Sequence, residues 1–206
     1  MKKPQPPLLV AIVGGSGSGK TWLADKLQAA LGKKAGRLSL DDFYRDRSHL
    51  SPARRERINF DNPAAIDWHA FKHVLNLFLD WQEVKAPRYD FQTHSRLRRR
   101  RSLKPKRIVL VDGLWLLRSP GIRKFFGFSI FLDVPMRMRL RRRLARDVNG
   151  RGRSRKSVQE QFRRTVEPMH RKFVMPQIRL ATHVHKGSWS KRDVEKFARL
   201  VWQMME

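Results

Sequence analysis

Two hydrophobic periods alternate along this chain. Short, nearly unbroken apolar runs lie at residues 8–13, 36–40, 107–111 and 128–134, with a weaker one at 182–185. Between them apolar residues recur at three- and four-residue steps. Trp22, Leu23, Leu27 and Leu31 mark a helix over 21–31 that Gly32 stops. Trp68, Phe71, Leu75 and Phe78 mark a second, from an Asp67 cap to residue 81, its aromatic stripe reading as core. Met136, Leu140, Leu144 and Val148 mark a third over 136–148, whose remaining faces carry arginines, and residues 191–205 form a closing amphipathic helix. A strand apolar on both faces is what a parallel sheet covered on both sides requires. Strands of that kind alternating with helices predict a doubly wound α/β fold, a parallel β-sheet flanked by helices in three layers. Residues 42–66 and 87–106 carry neither period, and both follow elements that end at the sheet edge where such folds build their sites.

Composition narrows the picture. With 206 residues, 40% of them hydrophobic, the chain suffices for one well-cored α/β domain with a small lid. It has no cysteine, which excludes a disulfide framework, a thiolate zinc site and a thiol nucleophile, and fits a cytoplasmic location. The first apolar run is too short for a signal peptide and no later one is long enough to span a bilayer, so no membrane association is expected. Charge is the unusual property: 46 Lys and Arg against 18 Asp and Glu leave +28. Such a surface attracts polyanions, and docking on nucleic acid is weighed against a solvated basic surface around a phosphate site, the latter being favoured.

The chemistry begins at residues 14–21. Gly14, Gly15, Ser16, Gly17, Ser18, Gly19, Lys20 and Thr21 spell G-x-x-x-x-G-K-[ST] between an apolar run and a helix. The glycines let successive backbone N–H groups turn toward an anion, and the helix start adds its dipole. Lys20 can bridge the β- and γ-phosphates of ATP, and the Thr21 hydroxyl can ligate Mg²⁺. The run at 107–111 ends in Asp112, placed to hold Mg²⁺ across the sheet from Thr21. The run at 36–40 ends in Asp41 and Asp42; Asp41 is the choice for accepting the proton of an attacking hydroxyl, with the two exchangeable at this level. An arginine-rich helix runs into a segment broken by Gly150 and Gly152, carrying Arg151 and Arg153, and reads as a lid over about 142–156 that closes on the phosphates.

With these motifs in order, the chain resembles the uridine–cytidine kinase branch of the phosphoribulokinase/uridine kinase family of P-loop kinases. The resemblance runs from Leu8 to about Ala181. It rests on Asp41-Asp42-Phe43-Tyr44-Arg45, Asn59-Phe60-Asp61-Asn62-Pro63, residues 89–96, the arginine lid, Gln161 and Val166-Glu167-Pro168. It implies a P-loop kinase fold with an arginine-rich lid, and ATP as co-substrate with Mg²⁺. It also implies Asp41 as catalytic base, Tyr44, Asp61, Tyr89, Phe91 and His94 around a nucleoside, and Arg146 and Arg153 as lid arginines. Gln161 would reach the sugar. An oligomer is compatible with this resemblance. Asp112 stands where uridine kinases more often have Glu. The run Arg98-Arg99-Arg100-Arg101 is foreign to the pattern and would suit an acceptor with its own negative charge. The segment 183–187, expected near adenine, matches loosely.

The expected reaction is phosphorylation of the 5′-hydroxyl of uridine or cytidine. Two alternatives stand beside it. One is a kinase of the same fold for another alcohol (a sugar phosphate, pantothenate or a pyridine nucleoside). The other is a basic nucleic-acid-binding P-loop NTPase, although no nucleic-acid-reading module is present.

Overall fold

The computed structural model describes residues 4–205. Among these residues nine strands form in chain order: β1 (Leu8–Gly14), β2 (Ala35–Ser39), β3 (Val84–Ala86), β4 (Tyr89–Asp90), β5 (Ser95–Arg96), β6 (Arg101–Leu103), β7 (Ile108–Gly113), β8 (Phe128–Asp133) and β9 (His183–Lys186). The α-helices are α1 (Lys20–Leu31), α2 (Pro52–Glu56), α3 (Trp68–Leu79), α4 (Pro120–Arg123), α5 (Met136–Arg151), α6 (Arg155–Gln161), α7 (Glu167–Met169) and α8 (Lys191–Gln203).

The five apolar runs become one parallel sheet in the order β2-β7-β1-β8-β9. Alternation along β1 sends its side chains to two separate cores. Leu9, Ala11 and Val13 join one with Phe71, Leu75 and Phe78 of α3, while Val10 and Ile12 join the other with Leu23 and Leu27 of α1 and Phe197 and Val201 of α8. Each fully buried Leu, Ile or Phe contributes about 1.5–3 kcal/mol, so the double-sided strands carry much of the stability. The parallel register opposes Ser39 to Asp112 and Val13 to Gly113, which brings the C-terminal ends of β1, β2 and β7 to one edge.

Residues 87–106, aperiodic in sequence, form parts of two short antiparallel pairs, β3 with β6 and β4 with β5. The β4–β5 turn is tied down by Arg96, whose guanidinium donates to the Tyr44 carbonyl at 2.7 Å and to Asp67 at 3.2 Å.

Three expectations need correction. Helix α3 stops at Leu79, two residues early, because Trp81 takes a left-handed conformation (φ 57°) and the Gln82 N–H turns back to the Leu77 carbonyl. Trp22 is not core: it is 44% exposed, and Leu23, Ala24, Leu27 and Leu31 form the buried stripe of α1. In α5 the apolar stripe does not face the interior. Met136 is exposed and Leu140, Leu144 and Val148 are half-buried, whereas Arg139, Arg143 and Asp147 are buried one turn apart. That helix packs a charged face on the phosphate loop, and its burial is possible because the arginines meet carboxylates.

The segment between α6 and β9 is helical almost throughout, with π-helical turns at Phe162–Val166 and His170–Val174 and a 3₁₀ turn at Met175–Leu180. Among the described residues no helix is long and apolar enough to cross a membrane.

Candidate active site

The loop between β1 and α1 turns through Gly17 (φ 79°) and Gly19 (φ 96°), conformations that side-chain-bearing residues rarely adopt. At Gly17 there is no room for one either: a Cβ would lie 2.3 Å from the Arg139 carbonyl oxygen of α5. A Cβ on Gly15 would lie 2.6 Å from the ring of buried His170, whose imidazole burial holds near pKa 4, and hence neutral. The loop is thus clamped between α5 and the π-helical segment. Lys20, buried at the start of α1, donates to the Gly15 carbonyl at 3.1 Å. Burial lowers the pKa of its ammonium, and the charges of Asp41 and Asp112 oppose that shift.

At the end of β7, Asp112 is 1% exposed and receives three donors. The Thr21 hydroxyl reaches its Oδ2 at 3.1 Å and the Ser39 hydroxyl the same oxygen at 3.5 Å, while the Arg37 guanidinium lies 3.4 Å from Oδ1. A hydroxyl and a carboxylate side by side at a triphosphate loop are hard oxygen donors of the kind Mg²⁺ takes alongside substrate phosphates and water.

Asp41 and Asp42 diverge in the 3₁₀ turn Leu40–Phe43, where the Asp41 N–H donates to the Ser39 hydroxyl at 3.3 Å. Asp41 faces the same cavity as Lys20, whereas Asp42 turns to the backbone N–H of Tyr89 at 3.4 Å. Burial pushes the Asp41 carboxyl up to about 6, with the Lys20 charge pulling the other way. One Asp41 oxygen is buried without a hydrogen-bond partner.

The cavity beside Asp41 and Lys20 measures about 90 Å³. Around it stand all six residues expected to face an acceptor: Tyr44, Asp61, Tyr89, Phe91, His94 and Gln161. The lid residues Arg146 and Arg153 also line it. Its aromatic wall is continuous. Tyr89 lies 5.1 Å from Tyr44 and 5.3 Å from Phe91, and His94 stacks on Phe60 at 4.5 Å. The Tyr44 hydroxyl is committed to the Phe60 carbonyl at 3.0 Å, so Tyr44 offers its ring rather than its oxygen. Burial raises the Asp61 carboxyl, and the nearby Arg143 charge moderates it.

The lid is organised by one carboxylate. Asp147, fully buried on α5, lies 2.8 Å from Arg146, 3.3 Å from Arg143 and 3.4 Å from Arg151. Burial raises its pKa, but the Arg146 hydrogen bond and the surrounding charges prevail and hold it below the ordinary range. Arg143 donates to Ser16 of the phosphate loop at 2.7 Å and to the Gln161 side-chain oxygen at 2.8 Å. Arg153 donates to that same oxygen at 2.5 Å. Gly150 does not break the lid helix as expected: α5 continues to Arg151 and ends at Gly152, which is left-handed (φ 64°).

Phe60 and Leu114 line the cavity without having been expected there, and Arg143 and Arg151, expected only as part of the arginine-rich segment 142–156, line it as well. Arg151 lies 4.4 Å above the Phe91 ring. The i, i+4 spacing of Arg139, Arg143 and Asp147 was the available signal, obscured by the surrounding arginines. None of residues 98–101 lines this cavity. A further cavity of about 280 Å³ opens beside the loop between Gly19, Trp22, Arg142 and Trp189. Trp189 follows β9 and stacks on His185 at 3.8 Å.

Residues 9–195 match the model of the phosphoribulokinase/uridine kinase family. The uridine kinase of Clostridium perfringens (strain 13 / Type A) is 36% identical over 171 residues, covering 82% of this chain and 82% of its own. The uridine kinase of Tolumonas auensis is 38% identical over 174 residues, covering 82% of this chain and 81% of its own. Among solved structures, phosphoribulokinase from Rhodobacter spheroides superposes with a TM-score of 0.67 at 15% identity, over 89% of this chain and 71% of that one, a likeness of fold. A family match across nearly the whole chain, on a fold that gathers the phosphate loop, two carboxylates and an arginine lid at one sheet edge, makes this protein a member of the phosphoribulokinase/uridine kinase family and an ATP-dependent small-molecule kinase.

Proposed function

We propose that the protein transfers the γ-phosphoryl group of ATP to the 5′-hydroxyl of uridine or cytidine. The observation that carries this reading is the shared cavity, in which Lys20 and Asp41 stand with Asp61 and the aromatic wall of Tyr44, Tyr89, Phe91 and Phe60. Asp41 accepts the proton of the attacking hydroxyl; with its carboxyl near 6 it is ionised at neutral pH yet basic enough to take a proton. Lys20 stays close to the phosphates as a buried donor. Asp61 accepts from ribose hydroxyls, and Gln161, its oxygen held by Arg143 and Arg153, presents its amide N–H₂ to the sugar. His94 and the aromatic faces recognise a flat pyrimidine.

Thr21 and Asp112 would hold Mg²⁺, which when bound neutralises charge on the β- and γ-phosphates. Trp22, Arg142 and Trp189 offer flat faces for the adenine base. Arg146 and Arg153 stabilise charge on the transferring group and exclude water. The cavity of about 90 Å³ is small for a nucleoside, so Arg151 must leave the face of Phe91 for a base to stack there.

A second reading has one observation in its favour. Arg143, Arg146, Arg151 and Arg153 line the cavity together with only Asp41 and Asp61 as acids, a balance that suits a smaller anionic alcohol such as a sugar phosphate. Incubation with Mg-ATP and a panel of uridine, cytidine, adenosine, pantothenate and ribulose 5-phosphate, read by mass spectrometry with Lys20→Ala as control, separates the two. Uridine or cytidine monophosphate is the expected product, and turnover of anionic alcohols alone sinks the nucleoside assignment.

A further inference from the structure

On the outer side of β2, away from the acceptor cavity, lies a groove of about 560 Å³ between α1, β2 and β6. Four cations border it: Arg37, Arg101, Lys104 and Lys106. Two acids do so as well, and both have partners, Asp25 in an ion pair with Arg37 and Asp42 on the Tyr89 N–H. Arg101 donates to the Arg37 carbonyl at 3.2 Å, which fixes β6 against the edge strand. Lys104 and Lys106 are exposed and have no ion-pair partner among the described residues. Ser39 and Ser102 stand on the same wall, their hydroxyls donating to Asp112 and Glu83. The groove has the size of a small-molecule site, a net positive lining, and two ammonium groups with no ion-pair partner among the described residues.

Arg37 gives this groove a connection inward. Its guanidinium lies between the groove and Asp112, the carboxylate that faces Thr21, and its side chain is only 20% exposed. An anion entering the groove would draw on the same guanidinium that orients Asp112. Partners one step behind a metal-holding carboxylate orient it and tune its affinity.

We propose that this groove is a second anion site, for a phosphorylated small molecule, and that Arg37 is a positioning residue linking it to Asp112. The assignment does not depend on which alcohol is the acceptor. The lysines and Arg101 offer charge-assisted bonds to phosphate oxygens, and Arg37, already shared between Asp25 and Asp112, adds the N–H groups those carboxylates leave.

Calorimetric titration with inorganic tripolyphosphate in the absence of Mg²⁺ tests the site. Two sites are expected in the unaltered protein, one retained in Lys20→Ala and the other retained in Lys104→Ala/Lys106→Ala. Arg37→Leu is expected to weaken the groove site about tenfold, the loss of one charge-assisted contact. A single site that vanishes with Lys20→Ala overturns the proposal. So does a site count unaltered by the lysine pair, or uptake without defined stoichiometry, which marks a diffuse basic surface. The link to Asp112 is read separately, from the Mg²⁺ concentration giving half of the ATP-dependent thermal shift. Arg37→Leu should raise that concentration about tenfold while the lysine pair leaves it in place. A fall, or no change, refutes the positioning role.

Discussion

Asp41 concentrates the conflict between folding and chemistry in one side chain. One oxygen of its carboxyl is buried without a hydrogen-bond partner, and burial pushes the group up to about 6, so in the folded protein the proton is held more tightly than in the unfolded chain. A raised acid pKa contributes stability at low pH, where both states are protonated, and loses it as pH rises through about 6. At pH 8 the ionised carboxylate therefore destabilises the fold, by something of the order of 3 kcal/mol for a shift of this size. Replacing Asp41 by Asn is expected to raise the melting temperature by several degrees at pH 8, to have little effect at pH 4, and to lower kcat at least about a hundredfold. Thermal scans at both pH values check the first part, and a variant no more stable at pH 8 contradicts it. In the unaltered enzyme kcat/KM should fall as pH drops below about 6, since the base is then protonated.

At the scale of elements, the phosphate loop owes its shape to what presses on it. The Arg139 carbonyl closes off Gly17 from one side and the His170 ring closes off Gly15 from another. Gly17→Ala combines an unfavourable backbone conformation with a backbone contact that cannot yield. It should weaken ATP binding by more than about tenfold, measurable by calorimetry, with the α/β circular dichroism spectrum retained.

The same elements show what sequence could and could not tell. The five parallel strands were legible because each apolar run needs two covered faces and has no other way to be buried. The phosphate loop, Asp41, Asp61, Tyr89 and Gln161 were legible because their residue types follow from phosphate and sugar chemistry or from the family resemblance. The helical run after Gln161 was not, since no apolar period marks it and prolines ordinarily interrupt helices, whereas the structure absorbs Pro168 and Pro176 in or beside π-helical and 3₁₀ turns. Nor was the inward face of α5. An apolar stripe normally marks the buried side, but here Asp147 and Glu167 make it favourable to bury arginines, with Arg139 reaching Glu167 at 2.6 Å.

Over the whole molecule, the +28 charge is mostly unrelated to the cavities. Arg98, Arg99 and Arg100 are exposed and border neither the acceptor cavity nor the groove behind β2. Like charges on one compact body repel, and salt relieves the repulsion as the Debye length falls from about 30 Å at 0.01 M to about 10 Å at 0.1 M. The melting temperature should therefore rise with sodium chloride over that range. A protein whose surface charges were mutually compensated would show no such rise.

The contact between the Arg139 carbonyl and Gly17 bears on how members of such a fold can exchange parts. A lid that sat apart from the donor loop could be grafted between relatives as a cassette to change acceptor preference. Here the helix that carries the lid arginines also touches the phosphate loop through the Arg139 carbonyl and the side chains of Arg142 and Arg143, so a graft starting beyond Arg143 keeps these contacts and one starting before it remodels the loop's surroundings. The natural seam for recombination lies inside α5, after its second turn.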